Sequence, residues 1–180
     1  MKKFICILLL IMSMSTMYYF SSQDGNTSLI QSNRIVDIIE DIRDKVTLQN
    51  EDLIKIKNKI KDSLSGYNKN FLVRKAAHFG MYAIIGGIMM IVIYLLSKKV
   101  IFSACISFTL TFLYAVFDER RQLNIVGRNG SLTDVFIDST GAILSISILS
   151  LIFLFYKGFK YILKKHKEED DFDDVGKVEG

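Results

Sequence analysis

The fold is decided by residues 114–142, which read YAVFDERRQLNIVGRNGSLTDVFIDSTGA. This stretch begins at the end of one strongly apolar run and finishes inside the next one. It holds four acids, three arginines and a glutamine. Charged groups that are taken out of water cost several kcal/mol each unless they are paired or put to use. The sequence therefore predicts a functional site at the place where the two apolar runs meet.

Four apolar runs of membrane-spanning length predict the fold class. They cover residues 4–20, 76–96, 100–117 and 135–156. Apart from Tyr and Cys, the only ionisable residues in them are His78 and Asp138. A bilayer core of ~30 Å requires about 20 apolar residues in a helix. We therefore expect an all-α, polytopic membrane protein with four transmembrane helices. Their expected bounds are about 4–20, 72–97, 100–117 and 134–156.

The distribution of lysine predicts the orientation. Loops on the cytoplasmic side carry an excess of Lys and Arg. Lysines follow Met1, form the turn at 98–99 and are frequent after residue 156, so both termini are expected in the cytoplasm and the polar stretch outside. The first run is either a spanning helix or a secretory signal peptide, and the aromatic residues at 18–20 favour an uncleaved helix.

The length allows one domain, which we place at 1–160. Within it, residues 29–70 form an expected external insertion with two amphipathic helical patterns, the first capped by Asn33 and the second covering about 50–66. This insertion either packs its apolar side on the bundle or lies on the membrane surface. The charged tail, 161–180, is expected to be cytoplasmic and disordered.

Polar residues mark the outer end of the second membrane helix. Arg74, His78 and Tyr82 follow each other at intervals of four, and Lys75 lies on the same face. Ionisable groups within a membrane are functional candidates by default, although a single histidine is often only hydrogen-bonded structure. Two pairs of small residues four apart, Ala76/Gly80 and Ala83/Gly87, predict a close approach of a neighbouring helix.

The acids come from the third and fourth membrane helices. Asp118 and Gln122 are four residues apart and share a face if the helix continues that far. Residues 131–134, SLTD, match a capping box, so for Asp134 a structural role competes with a catalytic one. Asp138 lies ~6 Å deeper in the helix, where capping does not explain it.

Three blocks of sequence resemble the VanZ-like family of bacterial membrane proteins. They are RKAAHFGMY at 74–82, DERRQ at 118–122 and GRNGSLTDVFIDSTGA at 127–142, and FSSQDGNTS at 20–28 is similar to a Ser-Ser-Gln segment of that family. The resemblance implies a four-helix protein of the cell envelope. The namesake of the family is associated with resistance to the glycopeptide teicoplanin. The resemblance assigns no role to individual residues.

Three functions follow from these residues and stay open. In the first, an outward-facing pocket binds an anionic envelope ligand: a lipid-linked wall precursor, a lipid headgroup or a glycopeptide antibiotic. Arginine suits this role because its planar fork binds phosphate and carboxylate in bidentate fashion. A contribution to teicoplanin resistance would follow. The candidate binding residues are Arg74, Lys75, Tyr82, Arg120, Arg121, Gln122, Arg128 and Asp134.

The second function is a membrane-embedded enzyme acting on a lipid or wall precursor, and the third is a purely structural network of ion pairs. The candidate catalytic residues are His78, Asp118, Glu119 and Asp138. We predict no cofactor and no metal site, because no recognised ligand spacing is present. If these residues held a metal, oxygen ligands with one imidazole would suit Mg²⁺ or Mn²⁺. The expected partners are the bilayer and the envelope ligand, with no nucleic acid.

Overall fold

The helices are described by a computed structural model of residues 1–47, 54, 55, 59 and 68–178, with the backbone alone at 2, 44, 46, 47 and 167–178. This part of the chain is helical and contains no strand, so the all-α prediction is confirmed. The helices are Lys2–Ser21 (α1), Gly25–Thr47 (α2), Lys69–Ser97 (α3), Val100–Gln122 (α4) and Leu132–Val178 (α5).

Four of these helices are long and apolar enough to cross a membrane. The segments are Lys3–Ser21, Lys69–Ser97, Val100–Gln122 and Leu132–His166. Their lengths of 19, 29, 23 and 35 residues reach the roughly 17–25 residues that a bilayer core requires. The predicted four transmembrane helices are therefore confirmed by length and composition. The helix α4 continues past the predicted end at residue 117, which places Asp118 and Glu119 inside a helix.

The helices α3, α4 and α5 pack against one another, and α1 packs on α3. A two-residue turn joins α3 to α4, so these two helices run antiparallel. In this turn Lys98 has a left-handed φ of 58°, and its N–H donates to the Tyr94 carbonyl at 2.9 Å. From α5, Lys157 Nζ donates to the Lys98 carbonyl at 2.6 Å. The lysines of the turn and of α5 therefore lie at the same end of the bundle.

Glycines allow α3 and α5 to cross closely. Gly141 on α5 is buried, and a Cβ there would collide with the backbone carbonyl of Phe79 on α3. A Cβ at Gly86 would lie 3.0 Å from Ala142. At Gly80, by contrast, a Cβ would meet nothing within 4 Å. The predicted close approach is therefore wrong at Gly80, because the contact with α5 runs along the neighbouring face of α3. At Gly87, the other predicted position, a Cβ would lie in contact with Leu149 of α5 at 3.5 Å.

The helix α2 begins at Gly25, inside a segment whose sequence is typical of a turn. Asp24 caps it, because its Oδ1 accepts the Thr27 N–H and its Oδ2 accepts the Thr27 hydroxyl, both at 2.8 Å. These hydrogen bonds favour the ionised form and hold the pKa of Asp24 below its usual value. The predicted cap at Asn33 is wrong, since Asp24 already satisfies the first N–H groups of the helix.

Two contacts hold α2 at one end of the bundle. The Gly25 N–H donates to the Val126 carbonyl at 3.0 Å, and a Cβ at Gly25 would collide with the Gly127 carbonyl. Further along α2, Glu40 forms an ion pair with Lys69 at the start of α3. The first amphipathic pattern is therefore helical, and it lies beside the loop between α4 and α5.

Two predicted segments remain: the second amphipathic pattern and the charged tail. The second amphipathic pattern, at 50–66, lies outside the described residues except at 54, 55 and 59. The helix α5 continues to Val178, so its backbone is helical through most of the tail for which the sequence predicts disorder. Disorder of the tail in solution and the domain limits remain predictions.

Candidate functional site

Four helix ends meet at the end of the bundle away from the lysine turn. They are the C-terminal ends of α1 and α4 and the N-terminal ends of α3 and α5, with the loop 123–131 beside them. Buried and half-buried polar side chains lie between these ends, and we call this set the polar cluster. It consists of Ser21, Lys75, His78, Asp118, Glu119, Arg121, Gln122, Arg128, Asp134 and Asp138.

Asp118 accepts hydrogen bonds from three side chains of the polar cluster. Its side chain is 1% exposed. The Oδ2 atom accepts from Ser21 Oγ at 2.7 Å and from Gln122 Nε2 at 3.1 Å, and Oδ1 accepts from Arg121 Nη2 at 2.8 Å. Helical spacing brings Arg121 and Gln122 to this carboxylate, whereas Ser21 comes from α1. A charged group without water is stabilised by these donors.

Glu119 links α4 to the start of α5. It is 4% exposed, and its Oε2 accepts the Ser131 N–H at 3.0 Å while Oε1 accepts from Gln122 Nε2 at 3.2 Å. In a capping box, the acid at Asp134 would accept the Ser131 N–H itself. Because Glu119 takes that N–H, Asp134 is free to form an ion pair with Lys75 on α3.

Arg121 fastens α1 to α4. Its guanidinium stacks 3.9 Å from the Tyr18 ring centroid, and it donates to the Tyr18 carbonyl at 3.2 Å and to the Ser22 hydroxyl. It also forms the 2.8 Å ion pair with Asp118. These contacts use its charge and most of its N–H groups, so they leave little of Arg121 for the ligand binding that the sequence predicts.

Arg128 is the member of the polar cluster that comes from the loop 123–131. It is 9% exposed, and it donates to the carbonyls of Gln23 at 3.1 Å and Phe20 at 3.3 Å, at the C-terminal end of α1. A cation is favoured there because the last carbonyls of a helix are free and carry partial negative charge. Burial lowers the pKa of the guanidinium and nearby Arg74 adds to this, while Asp118 and Glu119 act in the opposite direction.

Asp138 is the least satisfied member of the polar cluster. Its side chain is 0% exposed, and neither carboxylate oxygen has a hydrogen-bond partner in the part of the chain that the structure describes. The nearest charged or chargeable group that pairs with it is His78, whose Nδ1 is 3.6 Å from Oδ1. This distance is longer than a hydrogen bond. A buried carboxylate without a hydrogen-bond partner is destabilising, because an unsatisfied buried acceptor costs more free energy than a hydrogen bond contributes.

Two predicted binding residues lie outside the lining of the cavities. The ring of Tyr82 is fully buried against Met17, Ile85 and Ala115, and its centroid lies 5.9 Å from that of Tyr114. Its hydroxyl has no hydrogen-bond partner among the described residues and is close enough to the polar cluster for the charges of Asp118, Asp138 and Glu119 to act on it. Arg120 is exposed on the other side of α4. Neither residue lines a cavity described below, so their predicted roles gain no support from the geometry.

A small cavity opens in the polar cluster. The residues lining it are Arg74, Lys75, His78, Gln122, Arg128, Asn129, Asp134 and Asp138. It offers about 20 Å³ to the centre of a water molecule, and about 10–15 Å³ is enough for one water. It can therefore hold a water or a small ion, but not a headgroup.

A larger second cavity adjoins the first at Arg74. Its volume is about 290 Å³. Its lining combines apolar Leu29 and Phe71 with polar side chains from α2 and the start of α3. The full lining is Leu29, Ser32, Asn68, Asn70, Phe71 and Arg74. Arg74 therefore lines both a narrow polar cavity and a wider amphipathic one.

Three members of the polar cluster come close enough to share one ion. His78, Asp118 and Glu119 each offer a ligand atom, and these atoms lie within 4.8 Å of one another. Two of the residues are consecutive on α4 and the third faces them from α3. The sequence pattern contains no metal motif because the ligands come from two helices that meet only in the fold.

The comparison with protein families gives a match along most of the chain. The model of the VanZ/LLP1 family matches residues 4–155. The chain belongs to the VanZ/LLP1 family. No curated protein and no solved structure matches it.

The VanZ/LLP1 match contains the entire polar cluster, and the predicted resemblance to VanZ-like proteins is confirmed. Most predicted site residues of this VanZ/LLP1 chain also meet in one place. The members brought together are Lys75, His78, Asp118, Glu119, Arg121, Gln122, Arg128, Asp134 and Asp138, with Arg74 at the edge. The sequence reasoning missed Ser21 and Asn129 as site residues, although Ser21 lies in the block that resembles the family.

Proposed function

We propose that this VanZ/LLP1 protein binds an anionic group of an envelope ligand at Arg74. The observation that carries the proposal is the position of this guanidinium between the two cavities. No hydrogen bond or ion pair joins Arg74 to another of the residues that the structure describes. A guanidinium that is half-buried and unpaired is well suited to a phosphate or carboxylate, which it binds through two parallel hydrogen bonds.

Neighbouring cations strengthen this site. Lys75 and Arg128 line the small cavity together with Arg74, and the charges of Arg74 and Arg128 act on each other. The lining has these three cations against two acids, Asp134 and Asp138. An anion next to Arg74 therefore gains electrostatically, and it relieves the repulsion between the two arginines.

The second cavity supports a ligand that has both an apolar and a polar part. Leu29 and Phe71 offer apolar contact, and Asn68, Asn70 and Ser32 offer hydrogen bonds beside Arg74. A phospholipid or a lipid-linked wall precursor has this division, with its phosphate at the boundary. A carboxylate of a glycopeptide antibiotic offers the same charge to Arg74, and capture of the antibiotic there would contribute to resistance of the kind with which the namesake of the family is associated.

Native mass spectrometry of the purified protein tests the proposal. We expect the wild-type protein to retain a phosphate-bearing lipid, and Arg74→Gln to reduce its occupancy at least about tenfold, because charged hydrogen bonds contribute ~1.5–3 kcal/mol. Arg120→Gln is the matched control, since this arginine is exposed at the end of α4 that lies near the polar cluster, and it lines neither cavity. Equal retention by all three proteins would refute the assignment to Arg74.

We infer from the lysines that the polar cluster faces outside and both termini lie in the cytoplasm. Lys98 and Lys157 lie at the opposite end of the bundle from the cluster, and cytoplasmic ends carry the excess of positive charge. In a chain whose two cysteines are replaced by Ala, we expect Asn129→Cys to react with a membrane-impermeant maleimide in intact cells. Lys99→Cys is expected to react only after permeabilisation. The reverse pattern would invert the orientation.

A second candidate is a membrane-embedded enzyme that acts on the same class of ligand. It is favoured by the unsatisfied Asp138 beside His78, since paired groups of this kind act as general acid and base. The structural alternative, a network of ion pairs alone, predicts that His78→Ala and Asp138→Asn lose folding together with function. An enzyme predicts that both variants insert and melt normally while product formation stops.

A further inference from the structure

The geometry points to a divalent-cation site formed by the imidazole of His78 and the carboxylates of Asp118 and Glu119. This inference does not depend on the anionic ligand at Arg74, because Arg74 is not one of its three residues. We assign to the site a cation of the Mn²⁺ class, held by two carboxylates and one imidazole, with Asp138 placed behind the histidine.

The ligand atoms are close enough to contact one ion. Those of His78, Asp118 and Glu119 all lie within 4.8 Å of one another. Two ligand atoms on opposite sides of an ion bound at roughly 2.1–2.5 Å are themselves about 4–5 Å apart. All three separations are therefore within the span of a single coordination sphere.

A second observation, independent of this cluster, is the state of Asp138. Its carboxylate is 0% exposed, lines the small cavity and has no hydrogen-bond partner within the described ranges. Its Oδ1 lies 3.6 Å from His78 Nδ1. A metal-binding histidine commonly donates its other ring N–H to a carboxylate, which fixes the tautomer. A closer approach of about half an ångström would give Asp138 this hydrogen bond and direct Nε2 of His78 to the ion.

Both acidic ligands already accept hydrogen bonds from neighbouring groups. Asp118 accepts from Ser21, Gln122 and Arg121, and Glu119 accepts from the Ser131 N–H and from Gln122. Ligating carboxylates are normally oriented by such hydrogen bonds. These donors hold the acids in position but do not use every lone pair, since each carboxylate has about four acceptor sites.

The charges and the donor set favour a hard divalent ion. Three carboxylates, on Asp118, Glu119 and Asp138, are at most 4% exposed. Of these three, Asp118 has a salt bridge to an arginine and Asp138 a long contact to His78, while Lys75 pairs with Asp134 instead. Carboxylate oxygens suit Mg²⁺ and Mn²⁺, and an imidazole nitrogen, as a softer donor, suits Mn²⁺ better than Mg²⁺.

An ion can reach the site from the small cavity. His78 and Asp138 line this cavity, and its volume of about 20 Å³ matches a water-sized species. Lys75, Arg74 and Arg128 line the same cavity, so an ion enters past positive charge. We therefore expect slow exchange of the ion and a supply of water to its open coordination positions.

The test uses the full chain in nanodiscs, freed of metal with a chelator and titrated with Mn²⁺. We expect the free-ion electron paramagnetic resonance signal to be lost up to one Mn²⁺ per chain. Pulsed measurements on the bound ion should then show coupling to ¹⁴N of an imidazole. Mg²⁺ should displace it only at higher concentration.

Two variants locate the ion. His78→Gln should abolish the ¹⁴N coupling, and Glu119→Gln should weaken Mn²⁺ binding by more than about 100-fold, since changes in the groups behind ligands alone cost roughly 10–100-fold. Asp41→Asn is the control, because this acid on α2 is exposed and contacts Lys45. Its affinity for Mn²⁺ should equal that of the wild type.

The inference is overturned if folded wild-type protein binds no stoichiometric Mn²⁺, or binds it without ¹⁴N coupling, which would indicate water or surface acids only. Should either variant fail to fold, the ¹⁴N coupling of His166→Ala still decides the question, because His78 is then the one histidine left in the sequence. Lipid retention by Arg74 is measured separately, so loss of one site leaves the test of the other intact.

Discussion

Replacing Asp118 by Ala is expected to lower the free energy of unfolding by about 3–5 kcal/mol, as found when one partner of a buried ion pair is removed. The reason is that three donors lose their acceptor at once: Ser21, Arg121 and Gln122. The guanidinium of Arg121 would keep its stacking on Tyr18 but not its counter-charge. Unfolding by denaturant in mild detergent, with a chelator present, measures the loss without any contribution from bound metal.

The control for this experiment is Asp41→Ala. Asp41 is also an acid on a helix with a cationic partner, Lys45 at 2.7 Å, but its side chain is 62% exposed. Exposed pairs contribute only about 0–1 kcal/mol. If both substitutions destabilise the protein equally, the polar cluster does not hold α1 to α4 in the way described.

The second large effect is expected at the crossing of α3 and α5. Gly141→Ala should destabilise the protein by about 1–3 kcal/mol or more, the usual range for an overpacked core. Its Cβ would collide with the carbonyl oxygen of Phe79, which is backbone and cannot rotate away. The two helices must therefore separate, and this movement would carry His78 away from Asp138. Thermal unfolding followed by circular dichroism provides the measurement.

Two further variants separate this explanation from a loss of helix flexibility. Gly80→Ala has open space around the new Cβ, and it should be neutral or stabilising because alanine favours helix over glycine by about 1 kcal/mol. Phe79→Ala combined with Gly141→Ala should not rescue stability, since the colliding atom remains. A rescue would show that the side chain of Phe79, rather than its backbone, sets the distance between the helices.

The features that the sequence predicts correctly are those that depend on neighbours along the chain. Membrane-length apolar runs gave the four spanning helices, and spacing of four residues placed Gln122 next to Asp118. The depth of Asp138 below the capping residues marked it as unusual, and the structure places it at 0% exposure. Periodicity and hydropathy are sufficient for such features because each is repeated over many residues.

Contacts between distant segments are not predictable from the sequence in the same way. Arg128, a predicted ligand-binding residue that lines the small cavity, also donates to the carbonyls of Phe20 and Gln23. Backbone acceptors are present in every residue, so no sequence pattern distinguishes them. In the same way, the motif at 131–134 predicts a capping role for Asp134, but Glu119 takes the N–H in question from another helix.

The participation of α1 in the polar cluster has a consequence for biogenesis. Ser21 and the last carbonyls of α1 contact groups on α4 and the following loop, while Asp138 lies on α5, which follows both in the chain. Lys75 and His78 of α3 therefore lack their carboxylate partners until α5 has been inserted. A chain truncated before α5 would expose the acids of α4, and such a product is a natural target for quality-control proteases of the membrane.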